Sequence, residues 1–150
     1  MSYKIVDTCN GCGACVKICP VDAIRGEKKE RHVIDTCLCI DCGACGRICP
    51  VAAVQDQSGT LCMRLKKSEW AKPQFNYKEC MSCTICIDTC PVGCLGLFHV
   101  SGSQNPHSYP CLKDAGACIG CGFCAIDCPV DAISMTVPNP DKLEIRNSKH

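Results

Sequence analysis

Aromatic side chains are scarce in this chain of 150 residues: three Phe, three Tyr and one Trp, 5% in all. That excludes a large aromatic core and leaves the question of what fills the interior. Long apolar runs are missing too, and no stretch approaches the roughly 20 residues of a membrane-spanning helix. No charge of one sign dominates. Lys and Arg number 16 against 15 Asp and Glu, a formal net charge of +1, so a basic nucleic-acid-binding face is not expected. The four histidines, His32, His99, His107 and His150, have no ligand-like spacing. Phosphate loop, nucleophile elbow and dinucleotide fingerprint are all absent. Residues 1–7 show no basic-then-apolar leader, from which a reducing, cytoplasmic setting is expected.

What the chain does have is cysteine, 20 residues of it. Sixteen fall into four copies of C-x2-C-x2-C-x3-C-P. The first run is Cys9, Cys12, Cys15, Cys19 and Pro20, and the second is Cys39, Cys42, Cys45, Cys49 and Pro50. The third is Cys80, Cys83, Cys86, Cys90 and Pro91, and the fourth Cys118, Cys121, Cys124, Cys128 and Pro129. A cubic iron–sulfur cluster needs a thiolate at each iron corner. Three cysteines spaced by two residues let a tight loop wrap such a cube, and the fourth, one short helical turn on, points away and serves the neighbouring cluster. The proline stops that turn because it has no N–H to continue it.

Two other uses of cysteine fit less well. A disulfide scaffold needs an oxidising compartment. Zinc sites use paired C-x2-C units or histidines and have no need of the third cysteine or the C-P. Each oxidised four-iron cluster with its four thiolates carries about −2, which would take a four-cluster chain to about −7.

Each pair of runs resembles a bacterial-type ferredoxin holding two [4Fe–4S] clusters. The resemblance implies an α+β fold of two tandem ferredoxin-like modules, each a pseudo-twofold repeat of strand, cluster loop, short helix and strand. The first module is expected over residues 1–56, a linker over 57–74, the second module over 75–136 and a tail over 137–150. The first two runs start 30 residues apart, leaving little chain between them. Adjacent pairing is expected from this: Cys9, Cys12 and Cys15 with Cys49, and Cys39, Cys42 and Cys45 with Cys19. Likewise Cys80, Cys83 and Cys86 would take Cys128, and Cys118, Cys121 and Cys124 would take Cys90. The alternative is a nested pairing, first run with fourth and second with third.

Four cysteines stand outside the runs: Cys37, Cys62, Cys94 and Cys111. Asp35-Thr36-Cys37 copies Asp7-Thr8-Cys9, yet Cys39 has the ligand spacing to Cys42. Cys94 takes the place of Ala23, Ala53 and Ala132 and reads as a small buried filler. Cys62 and Cys111 read as unused thiols. Ser101 to Ala117 reads as a loop from its Ser, Gly, Asn and Pro content. Trp70, the single tryptophan, is expected to pack the linker.

With every cluster ligated by four cysteines, no iron has the vacant position that Lewis-acid chemistry needs. The expectation is an electron-transfer protein carrying four [4Fe–4S] clusters, with no catalytic site of its own and no membrane insertion. It would wire a catalytic oxidoreductase subunit to an external redox partner, the alternative being a free, diffusing low-potential ferredoxin. A second resemblance is carried by Glu69-Trp70-Ala71-Lys72-Pro73 before Tyr77-Lys78-Glu79-Cys80. It is to small polyferredoxin subunits that accompany tungsten enzymes of the aldehyde oxidoreductase family, including class II benzoyl-coenzyme A reductases. It implies a partner holding a tungsten–pterin and the substrate site.

Overall fold

Every cysteine run folds the same way: a loop, one short helix, and an exit along an extended segment. The structure, a computed structural model, describes residues 2–99 and 108–137. The helices are α1 (Ala14–Ile18), α2 (Ala44–Ile48), α3 (Ile85–Thr89) and α4 (Phe123–Ile126). Each is preceded by a residue in the left-handed region, namely Gly13, Gly43, Thr84 and Gly122. In the first three runs the fourth cysteine closes the helix in an extended conformation, with ψ of 117°, 117° and 114° at Cys19, Cys49 and Cys90. The proline that follows demands this, because its ring disfavours the helical region for the residue before it. Helices of four or five residues are far too short to persist alone, so tertiary packing holds them.

The chain divides into two compact units between Ser68 and Glu69. In the first, β1 (Lys4–Ile5) pairs antiparallel with β4 (Val54–Gln55), and β2 (Ile24–Arg25) with β3 (Val33–Ile34). The second unit uses the same order with longer strands. There β5 (Lys72–Phe75) pairs with β8 (Ile133–Thr136), and β6 (Leu95–His99) with β7 (Ser108–Leu112). In each unit the outer two strands in sequence meet each other and the inner two form the other pair. This brings both helices of a unit to the same core. That core is as much cysteine as hydrocarbon: Ile5, Ile24, Ile34 and Val54 with Cys15, Cys45 and Cys49, and Leu95 and Ile133 with Cys86, Cys94, Cys118 and Cys124.

The loop expected over 101–117 is corrected in its second half. Residues 101–107, including His107, lie outside the described residues, but Ser108–Leu112 is strand β7. Pro110 sits in that strand without penalty because β7 has a neighbour on one side only, so its missing N–H is not needed. Phe98 stands opposite Tyr109 across the pair. Tyr77 meets both rings edge-on, at 5.3 and 5.4 Å, and donates its hydroxyl to the Pro110 carbonyl at 3.1 Å. The few aromatics thus concentrate in one cluster of the second unit.

The segment 57–74 is divided between the two units, residues 57–68 belonging to the first and 69–74 to the second. The Cys62 N–H donates to Val54 O at 2.8 Å and the Leu65 N–H to Arg47 O at 3.0 Å, within the first unit. Trp70 is buried in the second, beside Gly120. The tail beyond Val137, with Leu143, Ile145 and His150, lies outside the described residues.

Two glycines of the first loop make a discriminating pair. Gly11 and Gly13 both have positive φ, 67° and 78°. A Cβ on Gly11 would lie 2.4 and 2.5 Å from the backbone N and O of Glu30, whereas one on Gly13 meets nothing within 4 Å. Gly13→Ala should therefore cost only the left-handed strain, about 1–2 kcal/mol. Gly11→Ala must also push two backbone segments apart, and should lower the thermal midpoint several-fold more. Equal shifts in the two melting curves would contradict this.

Candidate functional site

Four hollows lie beneath the four loops. Cys9, Cys12, Cys15 and Cys49 line the first, and Cys19, Cys39, Cys42 and Cys45 the second. Cys80, Cys83, Cys86 and Cys128 line the third, and Cys90, Cys118, Cys121 and Cys124 the fourth. In each, three cysteines come from one run and one from the other run of the same unit. The short helices bring this about. From Cys15 to Cys19 the chain climbs about 6 Å at helical rise, enough to carry the fourth sulfur out of its own loop's hollow and into the next.

Each loop wraps its hollow by means of two left-handed residues, set between the first and second cysteines and between the second and third. They are Gly11 and Gly13, Asp41 and Gly43, Ser82 and Thr84, and Gly120 and Gly122. Alternating handedness turns successive backbone N–H groups toward one side, the arrangement that builds anion-binding concavities. A third left-handed residue follows each fourth cysteine: Asp22, Ala52, Gly93 and Asp131. It turns the chain back so that the next N–H reaches the sulfur. Ala23 N–H donates to Cys19 Sγ at 3.3 Å, Ala53 N–H to Cys49 Sγ at 3.2 Å and Ala132 N–H to Cys128 Sγ at 3.3 Å.

Burial, reinforced by the neighbouring cysteines of the same run, pushes the Cys15 thiol up to about 11, Cys45 up to about 12 and Cys124 up to about 11. Burial also raises Cys86 and Cys121. Gathered, buried thiolates need positive charge at their centre, which bound metal supplies. Among the described residues, no three His, Cys, Asp or Glu side chains converge on a point as the ligands of one ion do. The cysteines stand around a space instead, which suits a polynuclear iron–sulfur group.

Of the four remaining cysteines, Cys37 is exposed, its N–H held by Asp35 Oδ1 at 2.9 Å, and lines none of the four hollows, whereas Cys39 lines the second. Cys62 lies flush on Gly46 of α2, with burial and then the Asp56 charge raising its thiol. Cys111 stands opposite Gly96 in the β6–β7 pair. Cys94 is the finding that spacing did not reveal. It is buried, it lines the fourth hollow, and its sulfur lies 3.5 Å from Cys90 Sγ. Burial holds its thiol far above the ordinary range. Burial also opposes ionisation of Cys90, but the N–H groups of Cys94 and Val92, the Cys94 thiol and the Gly93 N–H outweigh it and bring Cys90 below its usual value.

His32 has no ligand-like spacing in the sequence, yet the fold brings it to a hollow. It is buried, lines the first hollow, and places Nδ1 4.0 Å from Cys9 Sγ. Its neighbour Arg31 pairs with Asp7 on the surface.

The chain matches the 4Fe-4S dicluster domain family over residues 8–53 and again over 38–94, and the 4Fe-4S binding domain family over 112–134. The two dicluster matches together span more than half of the chain. It is 36% identical over 72 residues to pyruvate synthase subunit PorD of Methanothermobacter marburgensis, covering 47% of this chain and 74% of that one. It is 34% identical over 68 residues to NADH-quinone oxidoreductase subunit I of Pelobacter propionicus, covering 42% of this chain but only 36% of that one. A ferredoxin of Clostridium perfringens is 71% identical over 24 residues, which are 16% of this chain and 43% of the relative. Among the described residues no helix is long and apolar enough to cross a membrane.

Proposed function

Because the chain belongs to the 4Fe-4S dicluster domain family, we propose that each of the four hollows holds one [4Fe–4S] cluster and that the protein is the electron-transfer iron–sulfur subunit of an oxidoreductase complex. The observation that carries this reading is the crossing of the fourth cysteines, which gives every hollow four cysteines of the runs. On this reading the sixteen cysteines of the runs are the ligands, in the four sets that line the hollows. Each unit is a pseudo-twofold ferredoxin-like repeat, with modules over 1–56 and 75–136, the second extended back to Lys72 by strand β5.

The chemistry a bound cluster supplies is one-electron transfer. The chain's own residues set its terms. The loops cover the buried sulfurs, the backbone N–H groups stabilise negative charge on them, and α1 to α4 carry each fourth cysteine from its own loop to the other hollow of its unit. All four iron positions of each cluster are taken by cysteine, so substrate chemistry falls to another subunit.

Subunits of pyruvate synthase and NADH-quinone oxidoreductase among the relatives support a catalytic partner. A tungsten–pterin partner is supported by the resemblance at residues 69–80 alone. In the structure Trp70 and Glu69 of that stretch are buried within the second unit. Large apolar side chains remain exposed elsewhere, Ile126 at 74%, Met81 at 60% and Met63 at 54% among them, and these suit a lasting interface better than a brief encounter.

Gel filtration of native extract in about 0.5 M salt tests the reading, because at that strength charge contacts reach only a few ångströms. Co-elution with a larger oxidoreductase subunit is the expected result. Elution as a lone 16.1 kDa species even at low salt, fully loaded with iron and active as a soluble donor, would establish a free ferredoxin instead.

A further inference from the structure

The second and fourth hollows occupy equivalent places in their two units. Each has one cysteine from the earlier run and three from the later. Each has a cation on the carbonyl of a lining cysteine: Arg47 Nη2 on Cys42 O at 3.0 Å, and Lys72 Nζ on Cys118 O at 2.8 Å. In each, the residue four beyond the crossing cysteine is buried, but it is Ala23 in one and Cys94 in the other. Cations therefore do not separate the two sites, and the Cys94 side chain does. Its sulfur lies 3.5 Å from Cys90 Sγ, and it interacts with Cys118 as well. When Cys90 serves as a thiolate ligand, Cys94 is the one of the two sulfurs that carries a hydrogen.

We propose that the Cys94 thiol donates a hydrogen bond to the Cys90 sulfur and so raises the reduction potential of the cluster held by Cys90, Cys118, Cys121 and Cys124 above that of its counterpart at Cys19, Cys39, Cys42 and Cys45. The proposal rests on the four-cluster reading given above. In the step concerned, one electron arrives from an outside donor, the charge within the four sulfurs becomes more negative by one, no bond forms or breaks, and the Cys94 proton stays on Cys94. A donor aimed at a ligating sulfur stabilises the added charge, and hydrogen bonds to the sulfurs are among the determinants of cluster potential. Cys94 acts through Cys90, as a positioning residue and not as a ligand.

The test compares the full anaerobically prepared chain with Cys94→Ala and Cys94→Ser in potentiometric titrations followed by electron paramagnetic resonance, with iron content measured on the same samples. Cys94→Ala should keep about 16 irons, and about a quarter of the spin intensity should move to lower potential while the rest stays. Cys94→Ser, which still carries a donor, should recover part of that shift. Superimposable titrations with iron intact would make Cys94 a filler and overturn the proposal. A loss of about four irons in Cys94→Ala would make it a ligand, which also overturns it. A serine variant indistinguishable from a shifted alanine variant would assign the effect to packing rather than to the hydrogen bond. Unmutated protein with far fewer than about 16 irons would instead sink the four-cluster reading itself.

Discussion

Anaerobic removal of iron with a chelator should unfold both units, each with a cooperative loss of its circular dichroism signal. The regular elements are too short to stand by themselves: helices of four or five residues, and strands of only two residues throughout the first unit. A hydrophobic core of this size rarely supplies more than about 3–5 kcal/mol, whereas structural zinc in small domains contributes about 10–16 kcal/mol. Here the deficit is visible, since six of the buried core residues are cysteines of the runs facing hollows. The second unit should give way last, because its strand pairs run over four and five residues and the Phe75, Tyr77, Phe98 and Tyr109 rings pack together. Iron-free protein with native-like dichroism and a cooperative melt would refute the idea that the clusters are the core.

The second large effect concerns which cysteines act together, and pairs of substitutions read it out. Cys19 belongs to the first run but lines the hollow of the second. Cys19→Ala and Cys42→Ala strike the same hollow, so the double variant should lose about four irons, no more than either single one. Cys19→Ala with Cys12→Ala strikes two hollows and should lose about eight. Assignment by run predicts the reverse for both combinations. A nested pairing of the first run with the fourth would put Cys19 with Cys118, and Cys19→Ala with Cys121→Ala would then cost only one cluster. Replacing Cys37, Cys62 and Cys111 together should leave the iron content unchanged, and a drop of about four irons on losing Cys37 alone would move the ligand from Cys39 to Cys37. Iron analysis of anaerobic samples, normalised to protein, decides every arm.

What the cysteine runs establish is local. Three sulfurs at spacings of three residues, a helical turn and a proline are features of about a dozen consecutive residues, so the loop and its cofactor class can be read without knowing where the chain goes next. Even the left-handed positions are partly written there, as Gly11, Gly13, Gly43, Gly120 and Gly122, though Asp41, Ser82 and Thr84 hide the same conformation behind ordinary side chains. Which run completes which hollow is written there only as a preference for adjacent pairing, from the 30 residues between the starts of the first two runs. All four runs have one spacing, and the second dicluster match, over 38–94, joins the second and third runs just as readily as the first joins the first and second. Strand pairing breaks that degeneracy, because β1 with β4 and β5 with β8 close each unit on itself and bring Cys49 back to Cys9 and Cys128 back to Cys80. The same closure made a strand of Ser108–Leu112, whose proline and polar content reads as loop until a partner strand supplies its hydrogen bonds. It also added a role to Cys94, which reads as a small buried filler and is also a wall of the fourth hollow: the contact with Cys118 spans a separation that no local spacing rule can see, and only the packed unit brings those sulfurs together.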